Sequence, residues 1–548
     1  MSNAYQKHVS TPVPQTEKES QQQVKNNSGG YSFVVSNQDR LERFLILGTD
    51  GGTYYVDERD LTKQNVQWLV DYIRLSADGG LSVLKTVVDI STNGRAYRNS
   101  PAIFTIALLY KHCADGLKPL LKDALPKVCR TSTHMFEFVS YVELMGGWGR
   151  SKRSAVANWY TSKNIEKLAY QLVKYRQRNG WSHRDTLRLS HARIDPVLER
   201  FVQRWYKDEQ NVGVIVDERP ELDVVRGFIS VQETTNVSGI LNLLDQDYCK
   251  MLPWEALPTQ VLKDPEVWKK LFYNGQLNGQ ALVRNITRLS RIDAFKDMVF
   301  TRDYADRLID EEMIRKTRLH PVNYLNALVT HTDGQVDRHG NSKIYSFDRQ
   351  KNWNTVPVIV DALNEGFHRA FKHITPAGKR TVVALDVSGS MSGPALGIDL
   401  SCAQVGAAMA MAIARTEPYY QIMGFATEFR DLGISPNMGL SDVLQRTTRQ
   451  NFGGTDCALP MQWAQKNSLE VDTFIVITDN ETWAGSKHPH VALKDYRKSS
   501  GIDARLAVLG VSATDFTIAN PADRGMMDFC GFDSNVPSLV ADFSRGDI

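Results

Sequence analysis

Three oxygen-bearing side chains at alternate positions form the pattern in this sequence that is best suited to binding a cation. Asp386, Ser388 and Ser390 follow a short apolar run, residues 382–385, which predicts a buried parallel strand that ends in a small polar turn. One carboxylate and two hydroxyls can converge on a hard cation, because such ions prefer oxygen ligands. Open α/β sheets place their ligands at this end of the strands. The alternative is that the glycine- and serine-rich stretch is only a turn.

Two later segments could complete such a site. Residues 452–456 form a glycine-rich loop that presents the hydroxyl of Thr455, and residues 473–478 predict a second apolar strand, which leads into Asp479. Together the three segments resemble the metal-ion-dependent adhesion site of von Willebrand factor A domains.

This resemblance implies a role for each of five side chains. The hydroxyls of Ser388, Ser390 and Thr455 would bind Mg²⁺ or another divalent cation, and the carboxylates of Asp386 and Asp479 would hold its waters or ligate it directly. Two carboxylates and three neutral hydroxyls leave such an ion electrophilic, with one coordination position open. We therefore expect an acidic ligand at the metal site.

The chain must supply elements that position these residues, and its 548 residues are enough for two or more domains. Strand and helix patterns alternate over residues 372–548, which predicts a doubly wound parallel sheet. Helix-length segments with few strand patterns fill residues 31–371 and favour an α-solenoid over a compact bundle. Residues 1–30 are rich in Gln, Ser, Asn and Lys and predict a disordered polar tail.

Composition narrows the classes of protein. There is no apolar run of eighteen residues and no apolar core near the N-terminus, so we expect a cytoplasmic protein without a membrane span. Six dispersed cysteines without a CxxC pair indicate neither a disulfide framework nor a zinc site. The overall net charge of +3 divides into +8 over residues 1–378 and −5 over residues 379–548. The first part is therefore the candidate for an anionic partner.

A basic element stands out within that first part. Residues 150–204 contain 13 Lys and Arg against four acidic residues. A helix predicted over residues 163–178 has a buried apolar stripe and a second stripe that carries Lys167, Lys174 and Arg178. These side chains could contact phosphates, or they could form an ordinary solvated face.

The next segment predicts the start of another helix. Asn179–Gly180 is typical of a left-handed helix end, and Ser182 with Asp185 predicts a capping box. His183 and Arg184 would then lie in the first helical turn, where free N–H groups favour an anion. The alternative is that His183 is an ordinary residue of that turn.

A second basic helix is predicted over residues 276–291. Its apolar residues form one stripe, whereas Arg284, Arg288 and Arg291 form another with no acidic residue among them. Three arginines on one helical face could follow a phosphate backbone. They could equally be solvated.

Longer strings resemble the Ro autoantigen family, whose members combine a TROVE module with a von Willebrand factor A domain. The strings are KYRQRNGWSHRDTLRLSH (174–191), GGTYY (51–55), GTDCALPMQWAQK (454–466) and TDNETWAG (478–485). The resemblance extends from about residue 36 to the C-terminus and is weak between residues 212 and 271. It implies a ring of HEAT-like helical repeats over residues 31–371, closed by a von Willebrand factor A domain over residues 372–548.

The resemblance also implies a function. The outer face of the ring would hold Y or Y-like RNA, and the central hole would accept single-stranded 3′ ends of misfolded noncoding RNA. The implied contacts on the outer face are Lys167, Lys174, Arg176, Arg178, His183, Arg184 and Arg188, and those in the hole are Arg284, Arg288 and Arg291.

We therefore expect a monomeric, non-enzymatic RNA-binding scaffold for RNA quality control or decay, with an exoribonuclease such as polynucleotide phosphorylase as a further partner. The alternative is a metal-dependent protein-binding adaptor whose helical ring binds polypeptide. A metal-dependent hydrolase is disfavoured, because the predicted metal residues have no adjacent His or Glu with an evident general-base role.

Overall fold

The described N-terminal residues 12–48 belong to the same compact unit as the C-terminal part of the chain. The computed structural model describes residues 12–48, 67–205, 219–336, 349–371, 374–395, 400–448 and 453–548. One unit consists of residues 1–60 with 372–548, and the other of residues 61–371. The prediction placed residues 31–371 in the helical region; of these, the described residues 31–48 belong to the first unit by their contacts in the structure.

The N-terminal segment consists of β1 (Gln23–Lys25), β2 (Tyr31–Val34) and α1 (Asn37–Leu47). Strands β1 and β2 pair in antiparallel fashion, and β2 also pairs with a strand near the C-terminus, Phe516–Thr517. The prediction of disorder is wrong for residues 12–30, because buried side-chain amides bind this segment to the C-terminal part of its unit. Residues 1–11 lie outside the described residues.

The second unit is helical over its described residues. Helix α5 packs against α3 and α7, α4 packs against α6, and α17 packs against α14 and α18. Contacts between next-but-one helices are typical of stacked helical repeats. The helices are α2 (Gln67–Leu75), α3 (Leu81–Asn93), α4 (Ser100–His112), α5 (Lys118–Val128), α6 (Ser132–Leu144), α7 (Arg150–Thr161), α8 (Ile165–Lys174), α9 (His183–Ser190), α10 (Pro196–Trp205), α11 (Asp223–Gln232), α12 (Val237–Leu244), α13 (Pro265–Tyr273), α14 (Gln280–Arg291), α15 (Met298–Leu308), α16 (Glu311–Thr317), α17 (Pro321–Asp333) and α18 (Pro357–Arg369).

Two small antiparallel hairpins interrupt these helices. The first joins β3 (Gln177–Arg178) to β4 (Trp181–Ser182), and the second joins β5 (Gln335–Val336) to β6 (Arg349–Gln350). The first hairpin connects α8 to α9 and therefore lies within the basic element.

The C-terminal part of the chain forms a six-stranded sheet with the order β13-β11-β10-β7-β8-β9. All neighbouring strands are parallel except β8 and β9, so the predicted doubly wound α/β fold is confirmed. The elements of this part of the chain are β7 (Thr381–Asp386), α19 (Cys402–Thr416), β8 (Tyr420–Phe425), β9 (Phe429–Asp431), α20 (Leu440–Thr448), α21 (Leu459–Lys466), β10 (Thr473–Thr478), α22 (Pro489–Ser500), β11 (Arg505–Gly510), β12 (Phe516–Thr517), β13 (Met526–Cys530) and α23 (Val536–Arg545). Strand β12 pairs with β2 and lies outside the six-stranded sheet.

The two central strands of this sheet have no exposed position, which explains their continuous apolar sequences. Every residue of β7 and β10 is buried. Helix α19 crosses one face of β7 at Gly406, where a Cβ atom would lie 3.0 Å from a methyl of Leu385. Residues of α21 and α22 pack with Val382 and Val476 on the other face. Helices therefore cover both faces, and the carboxyl ends of β7 and β10 open at one edge.

No helix within the described ranges combines the length and apolarity needed to cross a bilayer.

Candidate metal centre and cationic surfaces

Two buried carboxylates meet where the central strands end. Strands β7 and β10 are parallel neighbours, with Leu385 opposite Ile477. Asp386 is the last residue of β7, and Asp479 directly follows β10; their exposed fractions are 0% and 2%. The sheet order changes direction between these two strands, which is where doubly wound folds bind ligands.

The loop after β7 is organised around Asp386. The Ser388 N–H donates to Asp386 Oδ1 at 2.9 Å, and Thr478 Oγ1 donates to Asp386 Oδ2 at 2.7 Å. The hydroxyl oxygens of Ser388 and Ser390 lie 3.0 Å apart, and both side chains are buried. The first predicted loop is therefore fixed, with its oxygens close together.

The loop that carries Thr455 is held by the segment that follows Asp479. The N–H groups of Trp483 and Ala484 donate to the Thr455 carbonyl at 2.9 and 3.0 Å. Thr455 Oγ1 and Asp479 Oδ2 are both buried, and neither has a hydrogen-bond partner among the described residues. Buried oxygens without a partner are costly, and a hard cation would satisfy them.

The five residues Asp386, Ser388, Ser390, Thr455 and Asp479 are hereafter called the metal cluster. The electrostatics of its two carboxylates also favours a bound cation. Burial, together with the neighbouring Asp479, raises the pKa of Asp386 to about 7. Burial also raises the pKa of Asp479. Two buried carboxylates resist simultaneous ionisation, and a divalent cation would supply the positive charge that allows it. The residues present therefore fit Mg²⁺ or a similar ion.

The hydroxyl content of the metal cluster separates it from other kinds of metal site. No group of three or more His, Cys, Asp and Glu side chains in the described ranges could hold a metal ion. Two carboxylates and three hydroxyls suit a hard ion that keeps a position for an outside ligand.

The basic element of the helical unit differs from its prediction at the end of α8. The helix stops at Lys174, and Arg178 lies in β3 of the hairpin, so these two residues do not share a helical stripe. Asn179 and Gly180 both have positive φ, 53° and 76°. Two such residues between paired strands form a type I′ hairpin turn, so the predicted helix end at Asn179–Gly180 is wrong. The predicted capping box of Ser182 and Asp185 is confirmed.

His183 is a core residue, which corrects its predicted place on the surface. Its side chain is 1% exposed, and its Nδ1 lies 2.8 Å from the Tyr160 hydroxyl. The imidazole contacts the edge of Phe136, with ring centroids 4.9 Å apart. Burial lowers the pKa of His183 to about 3, so the ring is neutral at pH 7. In this structure the side chain does not reach the surface, because helix α9 turns it inward.

The remaining predicted side chains of this element divide into two groups. Lys167, Arg178, Arg184 and Arg188 are exposed. Lys174 and Arg176 are half-buried and lie over aromatic rings: the Lys174 ammonium is 5.5 Å from the centroids of Tyr170 and Tyr175, and the Arg176 guanidinium is 5.1 Å from that of Phe228. The exposed group is therefore the better placed to contact a ligand.

Two adjoining grooves share Arg184. One, of about 550 Å³, is lined by the hairpin, including Arg178 and Trp181. The other, of about 740 Å³, lies between α9 and α10 and is lined by Arg184, Arg188, His191, Arg193 and Glu199, among others. The sequence prediction missed His191 and Arg193. Their place in the basic run of residues 150–204 was the available signal.

Helix α14 presents its three arginines as predicted. Arg284, Arg288 and Arg291 are exposed, while Leu282, Ile286 and Leu289 are buried. The Arg288 guanidinium lies 4.9 Å from the ring centroid of Trp254, and that of Arg291 lies 4.7 Å from Trp353. Arg291 Nε also donates to Asn352 Oδ1 at 2.8 Å. The arginine face of α14 is thus partly preordered by aromatic rings.

Fold and site together define a chain that combines a helical-repeat unit with an α/β unit of the von Willebrand factor A type. The family model described as the Ro60 vWA domain matches residues 380–544, and that of the TROVE domain matches residues 24–219 and 250–355.

Individual relatives agree with these matches. "RNA-binding protein RO60" of Deinococcus radiodurans is 38% identical over 542 residues, which cover 98% of both chains. The protein of the same name from Caenorhabditis elegans is 34% identical over 97% of this chain and 92% of its own. The crystal structure of the Deinococcus radiodurans RO (RSR) protein superposes with a TM-score of 0.67 and 37% identity, covering 94% of this chain and 100% of that one. The chain belongs to the Ro60 family.

Proposed function

We propose that this protein binds RNA and that Y or Y-like noncoding RNA lies on the hairpin–α9 surface, defined by Arg178, Arg184, Arg188, His191 and Arg193. The observation that carries this proposal is the convergence of exposed arginines on two adjoining grooves. Support also comes from two relatives named RNA-binding protein, each matching nearly the whole chain.

The arginine side chains, rather than the start of helix α9, are assigned the phosphate contacts. Ser182 Oγ already accepts from the Asp185 N–H, and Asp185 Oδ2 accepts from the Ser182 N–H. The exposed Asp185 carboxylate also places a negative charge in the first turn, which opposes an anion there. Arginine can form two parallel hydrogen bonds to a phosphate. Arg184 and Arg188 should therefore bind phosphate more strongly than the N–H groups at the start of helix α9.

Single-stranded 3′ ends of misfolded RNA are assigned to the arginine face of α14. A single strand is held by cationic side chains along its backbone and by flat groups on which its bases stack. Arg288 and Arg291 offer both, because their guanidinium planes already lie over tryptophan rings. The position of this face within a central hole stays a prediction.

The metal cluster is proposed to bind Mg²⁺ and capture an acidic group of a partner protein. The ion would supply an open coordination position, while the buried loops around Asp386 and Thr455 hold the ligand oxygens in place. An exoribonuclease that degrades 3′ ends is the partner that fits the proposed RNA function. We assign this site to binding and not to catalysis.

Purification from the native host tests the proposal directly. Bound RNA should raise the 260/280 nm absorbance ratio well above that of protein, and sequencing should return structured noncoding RNA. In filter binding, Arg184→Ala with Arg188→Ala should weaken binding of a structured RNA by about 10- to 100-fold.

The matched control is Arg302→Ala with Arg307→Ala, which removes two exposed arginines from α15. It should change RNA affinity by less than about threefold. If the protein carries no RNA and both double variants behave alike, the chain is better described as a polypeptide-binding adaptor.

A further inference from the structure

An N-terminal glutamine joins the two loops that carry the metal cluster. The side chain of Gln15 is wholly buried. Its Nε2 donates to Asp456 Oδ1 and to the Lys487 carbonyl, both at 2.7 Å. Its Oε1 accepts from Thr482 Oγ1 at 2.5 Å and from the Gly485 N–H at 3.3 Å. One amide therefore uses its donors and its acceptor to bridge the segment after Thr455 and the segment after Asp479.

Each bridged segment follows a residue of the metal cluster whose oxygen has no hydrogen-bond partner among the described residues. Asp456 directly follows Thr455, whose Oγ1 has no partner among the described residues. Thr482 is three residues beyond Asp479, whose Oδ2 is also without a partner there. Gln15 therefore fixes the separation of two loops whose oxygens must reach one ion.

Other side chains of residues 12–35, hereafter the strap, reinforce the same contact. Asn26 Nδ2 donates to the Thr482 carbonyl at 2.8 Å, and Asn27 Nδ2 donates to Glu481 Oε1 at 2.8 Å. The Ser28 N–H donates to Glu481 Oε2 at 3.0 Å. The strap thus binds two consecutive residues shortly after Asp479, namely Glu481 and Thr482.

At two glycines of this contact there is no room for a Cβ atom. A Cβ atom at Gly485 would lie 2.3 Å from both Asp456 Oδ1 and Gln15 Nε2. A Cβ atom at Gly30 would lie 2.0 Å from the Thr482 carbonyl oxygen. The close fit means that small shifts of the strap are transmitted to the loops that it contacts.

We infer that Gln15 is a positioning residue for the metal cluster, and that the strap holds the Thr455 and Asp479 loops in the arrangement that binds the ion. This inference rests on the proposed Mg²⁺ binding. Residues behind metal ligands orient them, and their loss typically lowers metal affinity 10- to 100-fold.

The test is calorimetric titration of the full-length protein with Mg²⁺. Gln15→Ala should weaken Mg²⁺ binding by about tenfold. In the metal-free protein, hydrogen exchange at the amides of Trp483 and Ala484 should become about tenfold faster, because their acceptor loop is no longer held. Gln15→Met keeps the approximate size but removes both donors and the acceptor. It should weaken Mg²⁺ binding similarly and serves if Gln15→Ala does not fold.

Gln23→Ala is the matched control. Gln23 is also a buried strap glutamine, but it bonds the N–H groups of Glu19 and Ser20 and the ring of His488. Its replacement should lower the melting temperature while changing Mg²⁺ affinity by less than about twofold. Equal losses of affinity in the Gln15 and Gln23 variants would overturn the positioning role, since general loosening of the strap would then explain both.

The outcomes separate this inference from the proposed metal binding. A wild-type protein that binds no Mg²⁺ refutes metal binding, and the hydrogen-exchange comparison then decides alone whether Gln15 holds the Thr455 loop. If the wild type and Gln15→Ala bind Mg²⁺ equally tightly, the positioning role is refuted while the proposed metal binding stands.

Discussion

The metal cluster and the hairpin–α9 surface differ in where they place their polar atoms. In the metal cluster the ligand oxygens themselves are buried, and two of them have no partner within the described structure. On the hairpin–α9 surface the charges of Arg184 and Arg188 are exposed, while the neighbouring His183 is buried. Removing a residue from the cluster therefore removes the site, whereas on the surface exposed residues affect binding and buried ones affect folding.

The largest expected effect is in the metal cluster. Asp386→Ala should abolish Mg²⁺ binding measured by calorimetry, because the loop after β7 loses the carboxylate around which it is organised. Affinity for structured RNA, measured by filter binding, should stay within about twofold, since the arginine surface carries that contact. A parallel loss of RNA affinity in a folded variant would show that metal and RNA share a site.

Adjacent residues of α9 allow a sharper test of exposure. His183→Ser should lower the free energy of unfolding by about 2–4 kcal/mol, because it empties a buried site and removes the hydrogen bond with Tyr160. Arg184→Ser should leave stability within about 0.5 kcal/mol and should weaken RNA binding instead. Denaturant unfolding and filter binding of the two variants check this. The same result for both would contradict the division between buried support and exposed contact.

The arginine face of α14 should discriminate between RNAs. Replacing Arg284, Arg288 and Arg291 together by Ala should weaken binding of RNA with a free single-stranded 3′ tail much more than binding of a blunt, structured RNA. Each lost phosphate contact should also reduce the slope of log affinity against log salt by about 0.7. Titrations at several salt concentrations measure both effects, and equal losses for the two RNAs would place the tail elsewhere.

The last prediction concerns pH. Burial lowers the pKa of His183 to about 3, so below its ordinary value near 6.5 the unfolded chain binds a proton that the folded chain does not. The stability contributed by neutral His183 is full above pH 6.5 and is lost as pH falls towards 3. His183→Gln should therefore flatten the decline of unfolding free energy between pH 6 and 4 by up to about 1.4 kcal/mol per pH unit. Denaturant unfolding of both proteins at each pH measures the difference, and parallel curves would refute it.

Local patterns correctly predicted the two strands that end at Asp386 and before Asp479. An apolar strand followed by Asp386, and a second followed by Asp479, specify position because parallel strands bring their carboxyl ends to one edge. The hairpin was harder to predict. Asn179–Gly180 suits both a helix end and a type I′ turn, and only the pairing of Arg178 with Trp181 decides between them.

Two further misassignments have a common physical cause. The inward direction of His183 depends on the packing of α7 against α9, which no local pattern reveals. The order of residues 12–30 comes from hydrogen bonds of Gln15, Gln23 and Asn26. Their partners lie 441, 465 and 456 residues further along the chain. A polar composition usually predicts disorder, because it lacks apolar area to bury.

The strap also has a consequence for the order of events during synthesis. It is synthesised well before its partners Asp456 and Thr482, which lie 441 and 467 residues beyond Gln15 in the sequence. At about 5–20 residues per second, the strap waits for tens of seconds before its sheet exists. During that interval β2 is an edge strand without its partner β12, which makes it a target for pairing with other chains. Completion of the α/β unit is thus a late, long-range step, and its rate should limit the appearance of metal-binding protein.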